Sequence, residues 1–269
     1  MPAAVARPLV RRLGVLVESV HAPVYFSPEP QQAYAELGLR GYWRGYFASR
    51  AAPLGTVGPE LLTALLGGFA PAMVARAVPG VWTLAMPEAV LGARLSGATA
   101  ALRRLIPEEH LPAVAAASAL TERCVAELPL PGRPMAAACA ALPRPQDPLA
   151  ALWHDCTVLR EHRGDGHLAA VAVLGLVWPE PHLLQGDRVD PRQQEHRGWE
   201  DDAWERATER VRGRHPEEVE ALTDSLAAPA YEPLTPDEQA ELAGLLGPVA
   251  RAVSRALPYP NAMGLPPPR

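Results

Sequence analysis

The chain has 269 residues, 48% of them hydrophobic, and a formal net charge of −5, enough for one large domain or two small ones around a sizeable core. Its 25 basic residues are all arginine, which excludes Schiff-base chemistry, ordinary pyridoxal phosphate attachment and a Walker lysine, while the acidic balance argues against a nucleic-acid partner. Cys124, Cys139 and Cys156 show no paired spacing, no apolar run is long and unbroken enough to span a bilayer, and the N-terminus reads without a signal peptide, so a reduced, cytoplasmic setting is expected.

Taken in order, residues 8–22 place Leu9, Leu13, Leu16, Val17 and Val20 at helical spacing, with Glu18 and His21 on one face. Ser27-Pro28-Glu29 has the pattern of an N-cap, a proline at N1 and an acid in the first turn, and opens a helix to about Leu37. Residues 42–50, Tyr-Trp-Arg-Gly-Tyr-Phe-Ala-Ser-Arg, are the most aromatic stretch of a chain that is only 6% aromatic; they are either core or the wall of a pocket. Two short helices follow over 59–78, broken at Gly67-Gly68 and Pro71. One helix is expected from Pro87 to Ile106 and another from Pro107 to about Leu128. Further helices are predicted at about 148–163, 166–176, 200–213, 216–228 and 236–256.

No strand or hairpin pattern is found, and the fold class expected is all-α. The proline-rich stretch 129–148, with a short Ala-rich helix inside it, is the best candidate for a boundary between residues 1–128 and 149–257. The tail 258–269 holds five prolines and is expected to be disordered.

The densest chemistry lies at residues 160–167, Arg-Glu-His-Arg-Gly-Asp-Gly-His, where only Gly164 and Gly166 are not ionisable. One reading is a helix end, with cations at the negative pole, Gly164 as C′ cap and Asp165 as the next N-cap. That leaves both histidines and Glu161 unexplained, and they are candidates for acid–base work: His167 as base, His162 as acid, with His21 and Glu161 as partners. Arg50, Arg160, Arg163 and Asp165 are candidates for holding a polar ligand group, and Tyr25, Tyr42, Trp43 and Tyr46 for lining an apolar cavity.

The Glu18-x-x-His21 spacing is that of a carboxylate–imidazole metal pair, but the second pair of a di-iron set is missing. No metal is expected; if one were bound, Glu18, His21, His162 and His167 would be its ligands. No cofactor is expected, since no Gly-x-Gly-x-x-Gly follows a strand. Cys156 reads as core, and no Gly-x-Ser-x-Gly elbow is present.

With Glu18-Ser-Val-His21, Tyr25-Phe26, Gly41 through Gly55, Phe69-Ala-Pro71 and Trp82 in the first half, and residues 160–167, Arg197-Gly198-Trp199, Trp204 and residues 223–227 in the second, the sequence resembles an actinobacterial family labelled helix-turn-helix or MarR-like. The resemblance covers nearly the whole chain; residues 160–167 are its specific part. It implies a helical N-terminal half packed on a winged-helix-derived C-terminal half, and members occurring in natural-product gene clusters. The hairpin wing of that fold has no room here, because Arg214-His215 runs straight into Pro216.

The region that would carry the recognition helix, 197–214, sets Arg197, Arg206, Arg210, Arg212 and Arg214 against Glu200, Asp201, Asp202, Glu205 and Glu209, for no net charge; phosphate contacts dominate DNA affinity. The expectation is therefore a small-molecule-binding protein without a specific DNA or membrane partner. A cofactor-independent cyclase, isomerase or lyase acting on a natural-product intermediate is the leading form. A ligand-responsive regulator and a non-catalytic binding or self-resistance protein are the alternatives, and a homodimer is left open.

Overall fold

In the computed structural model, which describes residues 5–185, 192–261 and 263–265, the fold is all-helical, with no strand among the described residues. The helices are α1 (Arg7–His21), α2 (Pro23–Phe26), α3 (Pro28–Glu36), α4 (Tyr42–Ala51), α5 (Pro59–Leu66), α6 (Pro71–Ala75), α7 (Pro87–Leu105) and α8 (Leu111–Ala126). They are followed by α9 (Pro134–Ala140), α10 (Pro148–Val173), α11 (Glu180–Leu183), α12 (Gln193–His196), α13 (Asp201–Arg210), α14 (Pro216–Ala227) and α15 (Pro236–Ser254). Most start as the sequence pattern predicts, with proline in the first turn, where its missing N–H costs nothing.

The axis of the molecule is α10, which packs against α1, α7, α8, α9 and α14. Every residue from Leu149 to Leu159 is buried, the signature of a helix surrounded on all sides. The Asp147 carboxylate accepts from the Ala150 N–H at 3.0 Å and caps its start. Within this stretch Asp155 is fully buried and ionically matched: Arg144 donates to it at 2.9 Å and Thr121 at 2.9 Å. One apolar core runs through residues from α1, α7, α8, α10 and α15, taking members from both sides of 129–148. A second core joins α3, α4, α5 and α6, and a third, small one closes the far end of α10 with Val171, Leu176, Val211 and Val219.

The central correction to the sequence reading concerns residues 160–167. The helices expected at 148–163 and 166–176 are a single helix of 26 residues, with no junction at Gly164. Asp165 does not cap its own helix; its carboxylate accepts from the Ala136 N–H at 3.0 Å and so caps α9 from outside. The terminating glycine is Gly175, three turns further on, with φ +64°. Its N–H donates to Ala172 O, and the Leu176 N–H to Val171 O, the paired bonds of a Schellman end.

Gly166 has another purpose: a Cβ there would lie 2.3 Å from an Arg133 guanidinium nitrogen. That guanidinium reaches past the helix surface to donate to His162 O at 2.8 Å and Leu226 O at 2.7 Å, tying α9, α10 and α14 together. Asn261 and Leu265 are buried, and the Asn261 amide donates to Pro258 O and Leu265 O while accepting from the Met263 and Leu265 N–H groups.

Candidate functional site

A helix turns 100° per residue, so the octapeptide within α10 divides into two faces. Arg160, Arg163 and His167 fall together on one side, and Glu161, His162 and Asp165 on the other. The first set borders a cavity of about 400 Å³ that also takes in Glu18 of α1, Tyr25, Arg50 and the aromatic residues Tyr42, Trp43 and Tyr46 of α4, and Glu220 of α14. Phe69, Trp178, His182, Arg197 and residues 263–265 are also part of the wall.

The aromatic residues of 42–50 are thus both core and wall. Tyr46 sits 5.3 Å from Tyr25, 5.6 Å from Trp43 and 5.4 Å from Phe69, ring centre to ring centre, while Phe47, at 0% exposure, faces the second core. Arg197 lies over the Phe69 ring at 4.7 Å, a cation–π placement.

The arginines of the wall are held in place by carboxylates behind it. Arg163 donates to Asp224 at 2.8 Å and Glu220 at 3.0 Å; Arg11 donates to the other oxygen of Asp224 at 2.8 Å. Arg160 bridges Glu18 and Glu161, and Arg50 is ion-paired with Glu161 at 2.8 Å and donates to it at 3.1 Å. Burial works against the Glu161 charge, but the Arg160 and Arg50 guanidiniums outweigh it and hold the carboxyl below its usual range. Among the described residues, five arginines (11, 50, 160, 163 and 197) and two carboxylates (Glu18, Glu220) border the space. Counting the carboxylates that pair with them from outside the wall, Glu161, Asp224 and Glu217, the acids number five as well, so the excess of cations belongs to the wall itself.

The histidine assignments change. His162 is fully buried on the core face, beside Pro129 and Arg133, and neither ring nitrogen makes a hydrogen bond of normal geometry. Burial, reinforced by Arg133, pushes it down to about 4, the reverse of the proton-holding acid expected of it. His21 does not border the cavity either. Its ring stacks on Trp153, and both nitrogens are occupied. Thr157 donates to Trp153 O at 2.8 Å, so it accepts from His21 Nδ1; Tyr25 accepts from Arg50 and so donates its O–H to His21 Nε2. His21 is therefore an orienting partner of Tyr25 and is not placed to touch a ligand.

Glu161 is likewise locked behind the wall, and Asp165, pushed up to about 6 mainly by burial, is spent on capping α9. Of the residues expected to act on a ligand, the cavity collects Arg50, Arg160, Arg163, His167, Tyr25, Tyr42, Trp43 and Tyr46, but not His162, His21, Glu161 or Asp165. The conditional metal set of Glu18, His21, His162 and His167 is not assembled; among the described residues no three His, Cys, Asp or Glu side chains are grouped to hold an ion.

The sequence profile of a family described as helix-turn-helix matches residues 10–260. The chain belongs to the helix-turn-helix family. No curated protein and no solved structure matches it. In this helix-turn-helix protein α13, which lies in the 197–214 stretch expected to hold a recognition helix, opens on exposed Asp201 and Asp202. Its arginines are engaged with acids: Arg206 with Asp202, Arg212 just beyond it with Glu209, and Arg210 with the buried Glu180. No helix of the described residues is long and apolar enough to cross a membrane.

Wall residues that sequence reasoning did not assign to the site include Arg11, Phe69, Trp178, His182, Arg197, Glu220 and residues 263–265. Each is brought in by tertiary packing. The Gly68 carbonyl accepts from both His182 Nε2 and Trp199 Nε1, which pins the Gly67–Phe69 loop against α11 and the turn after α12; no local spacing announces that contact.

Proposed function

We propose that the protein binds a small organic anion in this cavity, with the apolar body of the ligand against Tyr42, Trp43, Tyr46, Phe69 and Trp178 and its acid on Arg160 and Arg163. The observation that carries the reading is an aromatic-walled cavity of about 400 Å³ whose wall holds more cations than carboxylates. That size and lining suit a drug-sized molecule. Of the proton-transfer group expected from the sequence, only His167 borders the cavity. A cyclase, isomerase or lyase working there on a natural-product intermediate would therefore draw its base from His167, the member of that group in the wall.

The helix-turn-helix family membership favours a second reading, a ligand-responsive regulator of the MarR-like kind. The acidic start and paired arginines of α13 weigh against it, since phosphate attraction supplies most DNA affinity. Calorimetric titration with 2-naphthoate and with the uncharged 2-naphthylmethanol tests the first reading. Binding of the acid at least tenfold tighter supports it, and equal affinity or no binding of either overturns it. A gel shift on the protein's own upstream DNA tests the second; a shift that survives non-specific competitor and is lost in Arg206→Ala would establish it.

A further inference from the structure

We propose that the ligand carries, besides its acid, a hydroxyl on its unsaturated body, and that this hydroxyl donates a hydrogen bond to Nε2 of His167. The inference rests on the small-anion reading above. It starts from Thr223, whose hydroxyl has one hydrogen. That hydrogen goes to Val219 O at 2.7 Å, so the same oxygen can only accept from His167 Nδ1, 3.2 Å away. The Nδ1 position is therefore protonated. Burial, with Arg163 adding to it, pushes the imidazole down to about 4, so the ring is neutral near pH 7. A neutral ring protonated at Nδ1 keeps its lone pair on Nε2. No hydrogen bond to that nitrogen is found among the described residues, while the residue borders the cavity.

His182, in the same wall, offers no such atom. Its Nε2 donates to Gly68 O and its Nδ1 accepts from Gln193.

The spacing then sets the ligand's shape. Arg163 and Arg160 precede His167 by four and seven residues on one helix face, a separation along the axis of roughly 6–10 Å. An acid on these arginines leaves a hydroxyl at His167 when the two groups sit at opposite ends of a body about two fused rings long. The Trp178 ring, 6.2 Å from the imidazole, flanks that end. A neutral acceptor accepts from a hydroxyl and repels a second carboxylate, so the site distinguishes hydroxy acids from both simple acids and diacids.

The test is calorimetry near pH 7 with 6-hydroxy-2-naphthoate, 2-naphthoate and 6-methoxy-2-naphthoate, on the wild type and on His167→Phe. The hydroxy acid is expected to bind about tenfold tighter than the other two, the worth of one well-placed hydrogen bond, and to lose that advantage in His167→Phe. The methoxy compound cannot donate, so its comparison on the wild type stands even where the variant folds poorly. Equal binding of all three, or a preference that survives His167→Phe, overturns the hydroxyl assignment while leaving the small-anion reading intact. Binding of none of them overturns the anion reading, and the hydroxyl assignment with it.

Discussion

The two faces of α10 between Arg160 and His167 have similar composition and opposite fates. Each holds three ionisable residues, yet Arg160, Arg163 and His167 border a cavity, whereas Glu161, His162 and Asp165 are buried, at 3%, 0% and 5% exposure. On the core face the charges are already engaged, since Glu161 neutralises Arg50 and Arg160, and Asp165 caps α9. On the cavity face Arg160 and Arg163 are ion-paired as well, but they border the open space, and His167 Nε2 has no hydrogen bond among the described residues. A dense ionisable motif is thus not one site. It is a binding surface with its electrostatic foundation behind it, and the helix period decides which residue belongs to which.

The largest test of this division is Glu161→Gln. Removing the carboxylate leaves the buried Arg50 guanidinium without its counter-charge and Arg160 with Glu18 alone, and breaking a buried pair in this way costs about 3–5 kcal/mol. Chemical denaturation at pH 7 checks it; a loss below about 1 kcal/mol, the worth of an exposed pair, would place Glu161 outside the foundation.

The pH dependence of stability sharpens the comparison next. In the unfolded chain histidine titrates near 6.5, whereas burial lowers His162 and His167 to about 4. Between those values the unfolded state takes up more protons, so stability is full above about 6.5 and is lost as pH falls toward 4. His162 alone accounts for on the order of 3 kcal/mol. Asp165, raised to about 6, runs the other way: its contribution is present below its unfolded value and is lost as pH rises through 6. The two imidazoles outweigh it. Melts from pH 7 to 4.5 are expected to show falling stability, with a shallower slope in His162→Leu, whose stability at pH 7 stays within about 1 kcal/mol of wild type because no hydrogen bond is lost. An unchanged slope would contradict the assignment.

Smaller effects separate the two glycines. Gly166→Ala places a methyl where the Arg133 guanidinium lies and displaces two hydrogen bonds to carbonyls, for a loss of about 1–3 kcal/mol. Gly164→Ala meets nothing closer than the Glu161 carboxylate at 3.9 Å, and gains up to about 1 kcal/mol from helix propensity. Thermal melts of the two variants moving in the same direction would count against this distinction.

Much of the fold was legible in the sequence because its signals are local. Proline at the first turn marks α3, α5, α7 and α14, and helical spacing marks α1. The exception, the false junction at Gly164, has a physical cause. Gly-Asp-Gly carries every local mark of a helix end, and what overrides it is non-local: Arg133 needs the space at Gly166, and the α9 backbone needs the Asp165 carboxylate.

The aromatic and arginine members of the cavity were legible by type. The roles of the histidines were not, because the expected junction gave His162 and His167 the wrong neighbours. His167 does have a lowered proton affinity, set by burial and then by Arg163. Phe69, Trp178 and Arg197 join the wall through loop packing that no periodicity records.

The division of the motif is tested most directly by titrating 2-naphthoate into three proteins side by side: wild type, Arg163→Gln on the cavity face and His162→Leu on the core face. Arg163→Gln is expected to weaken binding at least tenfold, as removal of a charge-assisted contact should, while His162→Leu binds within about twofold of wild type. Loss of binding in His162→Leu with the fold intact, or undiminished binding in Arg163→Gln, would contradict the assignment of the two faces.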